Sequence, residues 1–296
     1  MPIAVRPKFD WGLRTRTLAL GPRTLLMGIL NATPDSFSDG GRFLDPNAAL
    51  THALQMLDDG ADILDLGGES TRPSSTPITP AEEQSRVLPI LRAVLAARPD
   101  AILSIDTYHA ETARLAIEAG AEIVNDVSGF LWDDQMAATC ANLNCGVVLM
   151  HTRGRPKQWR TLPALAPTEV LPLVLRELNE RANAALAAGI ARAAIVLDPG
   201  FGFGKILDEN YPLLARLNAL HALGFPLLIG LSRKGFLRKS IVTKPGAPHL
   251  DSEMWVSATT AANTAAILAG AHILRVHDVR PARETAAIAD RILAAG

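Results

Sequence analysis

Short apolar runs recur eight times along this 296-residue chain, and each leads within a few residues to side chains capable of chemistry. Helix-like sequence follows almost every run. With no hairpin signal between them, the runs predict parallel strands, because each return crossover is then a helix. The runs occupy residues 25–30, 62–66, 101–105, 122–124, 147–150, 194–197, 226–230 and 272–274.

The repeated strand-helix unit favours an α/β fold built as a single (β/α)8 TIM barrel. In such a barrel the loops that follow the strands converge on one face, where residues distant in sequence share one pocket. An open doubly wound sheet fits the same alternation, but it concentrates its site at one switch point. We assign residues 25–296 to the barrel and residues 1–24 to an N-terminal extension, for which a short hairpin under the barrel floor is the expected form.

Amphipathic helices are expected between the strands, since the apolar residues there follow a 3.6-residue period. Asp45 and Pro46 form a helix-start signal, and Thr79, Pro80 and Glu82 form a capping box with proline at the first helical position. Further helices are predicted at 109–119, 132–142, 169–188, 209–223, 252–269 and 281–294, with one more beginning near residue 235.

The charge and cysteine content narrow the class of protein. A formal net charge of -1 without a long run of like charge argues against a nucleic-acid partner and against electrostatic membrane anchoring. No apolar run is long enough to suggest a signal peptide or a membrane span. Cys140 and Cys145 are the only cysteines and lack the partners of a zinc site, so reduced, buried thiols in a cytoplasmic protein are expected.

Two connections are longer than most strand-to-helix loops, namely residues 32–44 and 67–79. They are rich in Gly, Ser, Asp and Pro and contain little apolar material for packing. Long polar loops at the active face of a barrel are candidate lids that close over a bound substrate.

Seven unusual motifs follow one another along the chain. They are Asn31–Gly41, Gly67–Pro73, Ser104–Thr107, Asn125–Gly129, Asp198–Lys205, Ser232–Lys234 and Arg275–Val279. In this order they resemble the dihydropteroate synthase family, the folate-pathway enzymes targeted by sulfonamides. The resemblance covers roughly residues 12–290 and implies a transferase that joins 6-hydroxymethyl-7,8-dihydropterin diphosphate to p-aminobenzoate and releases diphosphate.

The resemblance implies a pterin site built from several strand ends. A carboxylate at Asp198 can accept two adjacent N–H groups from the pyrimidine edge of a pterin. Without a ligand, Asp198 and Lys234 could instead form a structural ion pair. The residues assigned to pterin binding are Asp106, Asn125, Met150, Asp198 and Lys234.

The glycine-rich run at 200–205 is neither a dinucleotide-binding fingerprint nor a Walker A loop, because the spacing is wrong and no Ser or Thr follows Lys205. Its glycines can let the backbone approach a flat ligand. The resemblance implies that p-aminobenzoate lies between Phe203, Pro73 and the Lys234 stem, with its carboxylate near the helix that begins about Gly235.

A departing diphosphate needs cationic or N–H donors that hold it more strongly as the bond breaks. Arg275 and His277 alternate on the last strand and therefore share a face. Asn31, Thr71 and Arg72 complete the expected anion pocket. Asn31 also supplies a hard oxygen ligand for Mg²⁺, which we expect to bind mainly together with the substrate because the sequence contains no dense carboxylate cluster.

The expected reaction is a dissociative substitution at the pterin methylene, with catalytic roles for Asp106, Lys234 and Arg72. Asp106 would stabilise the developing positive charge, and an aniline nitrogen needs no strong general base. The lid residues Asp35, Ser36 and Phe37 are expected to close after diphosphate and Mg²⁺ bind, so that p-aminobenzoate binds last.

The sequence alone leaves other functions open. A pterin-binding methyltetrahydrofolate methyltransferase domain shares the barrel and pocket, although it would not need the diphosphate-facing residues. A class I aldolase using Lys234 leaves the pterin motifs unexplained, and a non-catalytic pterin-binding paralogue conflicts with the intact Asp106. Ser74 and the basic segment 152–155 depart from the family pattern. Ala258–Ala266 could pack closely on the barrel or at a dimer interface, and the resemblance favours a homodimer.

Overall fold

The computed structural model describes residues 5–33, 46–70, 76–159, 161–241 and 252–295. Within these ranges a two-stranded antiparallel hairpin precedes an eight-stranded parallel sheet. The hairpin strands are β1 (Phe9–Gly12) and β2 (Thr17–Leu20). The sheet strands are β3 (Leu25–Asn31), β4 (Ile63–Gly67), β5 (Ile102–Asp106), β6 (Ile123–Asp126), β7 (Gly146–Met150), β8 (Ile195–Asp198), β9 (Leu228–Ile229) and β10 (Ile273–Val276).

The sheet closes on itself. Its order is β8-β7-β6-β5-β4-β3-β10-β9, and a parallel bridge between Leu197 and Leu227 joins the two ends. Helices lie between successive strands, as parallel pairing requires. The structure therefore confirms the predicted (β/α)8 TIM barrel and excludes the open doubly wound sheet, whose edges would remain unpaired.

The helices among the described residues surround the barrel. Most predicted helices are present within a few residues of the expected bounds. The helices are α1 (Pro46–Asp58), α2 (Pro80–Ala97), α3 (Ala110–Glu118), α4 (Met136–Leu143), α5 (Val170–Ala187), α6 (Asn210–Ala215), α7 (Gly235–Ile241), α8 (Ser252–Leu268) and α9 (Val279–Ala295).

The structure contains part of the predicted helix-start signals. Thr79 caps α2 by accepting a hydrogen bond from the Glu82 backbone N–H at 3.2 Å. The Glu82 side chain, the other half of the predicted capping box, forms an ion pair with Arg86. The structure therefore contains the Thr79 half of the box. Asp45, the other predicted cap, lies outside the described residues.

Two predicted helices differ from the structure. The helix expected at 132–142 begins only at Met136, because a turn around Asp126 and Ser128 occupies the preceding residues. The helix expected at 209–223 is divided at Arg216, whose φ of -119° ends α6, and continues as a 3-10 helix over Leu217–Leu223. Leu217 and Leu220 are both buried, and their spacing of three places them on one face of the 3-10 helix.

The N-terminal hairpin closes the floor of the barrel, as predicted. Trp11 is fully buried, and its indole Nε1–H donates to the Ala194 carbonyl oxygen at 2.9 Å. Trp11 packs in a cluster of side chains from the hairpin and from the inner faces of the strands. Those side chains are Leu13, Leu20, Leu25, Met27, Ile63, Ile123, Val148, Val196, Leu228 and Ile273. The division of the chain between residues 24 and 25 stays a prediction.

Strand register determines which side chains face the barrel interior. Side chains alternate along a strand, and Ile63 belongs to the floor cluster, so Asp65 and Gly67 also face inward on β4. Asp65 pairs with Ser104, and Gly67 pairs with Asp106. The interior therefore changes from apolar at the floor to polar at the carboxyl ends of the strands. No helix in the described ranges is both long and apolar enough to cross a membrane.

Trp11→Ala should destabilise the protein by about 3–5 kcal/mol, because it empties a fully buried aromatic site and leaves the Ala194 carbonyl without its donor. Urea unfolding measures the change, with Leu131→Ala as a control at an exposed leucine. A loss no larger than that of the control would show that the hairpin does not stabilise the barrel.

Candidate active site

A cavity of about 580 Å³ opens at the carboxyl ends of the barrel strands. It collects side chains from strands that are far apart in sequence. The predicted site residues that line it are Asn31, Asp106, Asn125, Met150, Asp198, Phe203, Lys234, Arg275 and His277.

One further predicted site residue is described but does not line this cavity. Gly235 begins α7 next to Lys234, and a Cβ added to it would have nothing within 4 Å. Six residues with predicted roles on the two long loops lie outside the described residues. They are Thr71, Arg72 and Pro73, together with Asp35, Ser36 and Phe37.

Asp198 ends β8 at the base of the cavity and is nearly fully buried. Burial raises the pKa of this carboxyl group to about 6, while the Gly200 N–H, which donates to Oδ1 at 2.7 Å, and the Lys234 charge act in the opposite direction. Asp198 and Lys234, both within the described ranges, form no ion pair within 4.0 Å. Asp198 is therefore available to a ligand that offers N–H donors.

Lys234 lies across the cavity from a loop aromatic ring. Its Nζ atom stands 4.0 Å from the centre of the Phe203 ring, and Trp159 packs edge-on against the same ring with centroids 5.3 Å apart. Burial lowers the pKa of the Lys234 ammonium group to about 8, although the Asp198 charge raises it. The site thus combines a flat apolar surface with a poorly solvated ammonium group, an arrangement that strengthens cation–π attraction.

Arg275 joins two carboxylates from other strands. Its Nε donates to Asp65 Oδ2 at 2.6 Å and its Nη2 donates to Asp106 Oδ2 at 2.5 Å. Burial raises the pKa of Asp106 to about 7, with Arg275 lowering it and the Asp65 charge raising it. The guanidinium group keeps further N–H donors for an anion, since it has five in total.

Two other predicted residues stand at the rim. Asn31 ends β3, and the backbone N–H of His277 donates to Ser232 Oγ at 3.2 Å. Beside Asn31, a Cβ added to Gly67 would stand 3.7 Å from Asn31 Oδ1 and 3.6 Å from Asp106 Oδ2. The glycine leaves room between these two oxygens, which a larger residue would fill.

Sequence reasoning missed Asp65, a fully buried carboxylate in the layer beneath the cavity. Its Oδ2 accepts hydrogen bonds from Arg275 and from Asn125 Nδ2, the latter at 2.9 Å. The signal was present, because Asp65 is a charged residue in the middle of an apolar strand. Glu69, which lines the cavity and accepts a hydrogen bond from Tyr108 at 2.8 Å, was also missed.

The glycine-rich loop after β8 is not a phosphate loop, as predicted. Lys205 is buried, and its Nζ donates to the backbone carbonyls of Gly200 at 2.8 Å and Phe203 at 3.3 Å. Its glycines allow a left-handed backbone: φ is +65° at Gly200, +81° at Gly202 and +70° at Gly204. The positive φ values therefore favour glycine at these three positions.

His151, which follows β7, does not line the cavity. It is fully buried with Nε2 at 3.0 Å from Glu177 Oε2 on α5. Burial lowers its pKa to about 3, and the nearby Lys205 charge lowers it further. The neutral imidazole belongs to the packing between the barrel and α5.

Comparison with known proteins agrees with this geometry. The sequence model of the pterin binding enzyme family matches residues 27–277. The dihydropteroate synthase of Streptococcus pyogenes is 41% identical over 268 residues, covering 90% of this chain and 95% of the relative. The dihydropteroate synthase of Bacillus subtilis is 39% identical over 279 residues, covering 94% and 92%.

Solved structures give the same result. Xanthomonas albilineans dihydropteroate synthase with 4-aminobenzoic acid has a TM-score of 0.85 at 39% identity, over 98% of this chain and 99% of that chain. The Yersinia pestis dihydropteroate synthase in a sulfonamide drug complex has a TM-score of 0.87 at 38% identity, over 97% and 100%. The chain therefore belongs to the pterin-binding enzymes and, among them, to the dihydropteroate synthase family.

Gly200→Ala should destabilise the protein by about 1–3 kcal/mol or more, because a Cβ there would lie 1.9 Å from the His151 carbonyl oxygen on a backbone with positive φ. Thermal unfolding provides the measurement. Gly235→Ala is the matched control, since nothing stands within 4 Å of its added Cβ. Equal stability of the two variants would contradict the proposed reason for the glycine.

Proposed function

We propose that this protein is a transferase that condenses 6-hydroxymethyl-7,8-dihydropterin diphosphate with p-aminobenzoate, giving 7,8-dihydropteroate and diphosphate. One observation carries the proposal: a single cavity places the buried Asp198 carboxylate, the Lys234 ammonium group and the Arg275 guanidinium group around the same space. Such a cavity suits a flat heterocycle with an N–H edge and an anionic tail.

The pterin ring lies at the base of the cavity. Asp198 accepts the two adjacent N–H groups of the pyrimidine edge, as a carboxylate with two oxygens can. Asn125 and Lys234 contact other polar atoms of the ring, and the apolar Met150 side chain packs against the ring itself. Burial of Asp198 strengthens this recognition, because water competes poorly for its oxygens.

The p-aminobenzoate ring occupies the outer part of the cavity against Phe203 and the Lys234 stem. The predicted contact with Pro73 falls outside the described residues and stays a prediction. Edge-on contact with Trp159 fixes the orientation of the Phe203 ring before the substrate arrives. Gly235, at the start of α7, provides an uncrowded approach for the carboxylate of the substrate.

The diphosphate tail binds at the rim, where Arg275, His277 and Asn31 line the cavity. Thr71 and Arg72, which lie outside the described residues, keep their predicted diphosphate-binding roles as predictions. The Asn31 oxygen and the space above Gly67 fit a Mg²⁺ ion that keeps most of its water ligands, because Mg²⁺ binds through few protein oxygens when phosphates are present. When bound, the ion would neutralise charge on the leaving diphosphate.

The reaction is a dissociative substitution. The bond between the pterin methylene and the diphosphate oxygen breaks, and its electron pair leaves with diphosphate. The amine of p-aminobenzoate then attacks the methylene carbon and releases a proton. Asp106, held by Arg275, stabilises the positive charge that develops on the methylene and the ring.

The proposal includes the oligomeric state and the cellular location of the protein. A homodimer is supported by exposed apolar side chains on adjacent helices, Met254 on α8 and Ile288 and Ile292 on α9. The near-neutral charge and two reduced cysteines support a cytoplasmic location. The predicted order of binding, with p-aminobenzoate last, depends on the loops at 34–45 and 71–75 and stays a prediction.

The purified protein should release diphosphate from the pterin substrate only when p-aminobenzoate and Mg²⁺ are added, with an equal amount of dihydropteroate formed. Asp106→Asn should lower kcat by about 10²- to 10³-fold, since it removes a charge that faces the transition state. A coupled diphosphate assay with saturating substrates measures both quantities.

Asp100→Asn is the control for this assay, because it removes an exposed carboxylate away from the cavity. It should retain wild-type turnover. Near-normal turnover of Asp106→Asn would refute the role of Asp106, and absence of p-aminobenzoate-dependent release in the wild type would refute the proposed function.

Pterin binding should depend on pH through Asp198. Because its pKa is raised to about 6, the carboxylate is charged above that pH and becomes protonated below it, losing one acceptor oxygen. Calorimetry with a phosphate-free pterin should show affinity decreasing by up to about tenfold for each pH unit below the pKa. Asp198→Asn should bind weakly and lack this decline, whereas an identical pH profile in wild type and variant would assign the titration to another group.

A further inference from the structure

Asp65 is the charged residue deepest in the barrel interior next to the cavity. It faces inward from the middle of β4, one layer above the floor residue Ile63 and one layer below Gly67 at the mouth. The side chain is fully buried. A buried carboxylate is costly unless other groups donate hydrogen bonds to it, so its partners indicate what it is for.

Both hydrogen-bond donors to Asp65 are residues of the cavity wall. Arg275 Nε donates at 2.6 Å and Asn125 Nδ2 donates at 2.9 Å, and both bonds end on the same Oδ2 atom. The second oxygen, Oδ1, is buried without a hydrogen-bond partner among the described residues. The carboxylate is therefore satisfied only through side chains that the proposed function assigns to substrate binding.

We propose that Asp65 is a positioning residue that sets the pterin-facing amide of Asn125 and the diphosphate-facing guanidinium of Arg275 relative to one another. The inference rests on the proposed function and adds a residue that touches neither substrate. One carboxylate oxygen accepts hydrogen bonds from both Asn125 and Arg275. The two groups that face the ring and the charged tail of the substrate are therefore held at a fixed position relative to one another.

The hydrogen bonds to Asp65 determine how the side chains of Asn125 and Arg275 are oriented. An ionised carboxylate accepts hydrogen bonds and cannot donate them, so Asn125 must turn its Nδ2 toward Asp65. Its carbonyl oxygen then remains for a ligand in the cavity. Arg275 is held at Nε by Asp65 and at Nη2 by Asp106, which fixes the plane of its guanidinium group. Its other N–H groups then point in set directions toward an anion.

Two ion pairs away from the cavity differ from this arrangement. Arg6 and Asp290, 2.9 Å apart, connect the N-terminal segment to α9, and Arg23 and Asp62, 2.6 Å apart, lie at the partly exposed start of β4. Each connects elements away from the cavity. The Asp65 interaction instead connects two strand ends that line the cavity, as expected of a group that orients the residues that bind substrate.

The test measures the affinity for the pterin half and for the diphosphate half of the substrate separately. Calorimetry of the full chain with a phosphate-free pterin and with inorganic diphosphate plus Mg²⁺ should show that Asp65→Asn weakens both by about tenfold or more. Asp62→Asn is the matched control, because it removes an aspartate paired with an arginine near the same strand, and it should bind both ligands normally. Thermal melting verifies that each variant is folded.

The pH profile of turnover supplies a second measurement. Asp106 is faced by Arg275, Asp65, Glu83 and Asp126, and the negative charge of Asp65 raises its pKa. In Asp65→Asn the acid limb of kcat should therefore move to lower pH. A residue whose charge does not act on Asp106 would leave that limb in place.

The outcomes separate this inference from the proposed function. Wild-type affinities in a folded Asp65→Asn, loss of only one affinity, or an unmoved acid limb would overturn the positioning role while leaving the proposed function intact. Failure of the wild type to bind either ligand would overturn both. If Asp65→Asn does not fold, the smaller neutral variant Asp65→Ser takes its place, and failure of both variants to fold would assign Asp65 to stability instead.

Discussion

The ion pairs of Arg275 with Asp65 and Asp106 are the interaction on which the mouth of this barrel depends. They connect the last strand of the sheet to two strands from the first half of the chain. Carboxylates in such a poorly solvated space would otherwise lose their charge or remain without donors. Arg275 opposes this loss at Asp106 by lowering its pKa, which burial raises to about 7. The charge pattern of the cavity is thus a property of the closed barrel.

The floor and the mouth of the barrel have separate tasks. Below, Trp11 and the apolar residues of the first layer fill the interior and close it with the hairpin. Above, the carboxyl ends of the strands carry polar groups on rigid backbone, where sub-ångström placement of donors is possible. Loops after the strands complete the cavity, and buried contacts such as those of Lys205 hold the β8 loop in its conformation. Substrate recognition therefore relies on strands for precision and on loops for access.

The sequence was sufficient for the fold because strand and helix periods alternate so regularly, and the hairpin was foreseeable from residues left before the first strand. Nine of the cavity-lining residues were among the predicted site residues. Those at strand ends were predictable because a polar side chain directly after an apolar run lies at the mouth of a barrel. Asp65 was missed because its partners, Asn125 and Arg275, are 60 and 210 residues away in the chain. The division at Arg216 was missed because residues three apart share a face in both an α-helix and a 3-10 helix, so the spacing of Leu217 and Leu220 does not distinguish the two.

The central claim is that one cavity holds a flat heterocycle at its base and an anionic tail at its rim. A crystal structure of the protein with a pterin, diphosphate and Mg²⁺ tests it most directly. The account predicts the pyrimidine edge of the pterin against Asp198 and the diphosphate beside Arg275, His277 and Asn31, with Asp65 still bonded to Asn125 and Arg275. A pterin bound outside this cavity, or with its edge turned away from Asp198, would contradict the account.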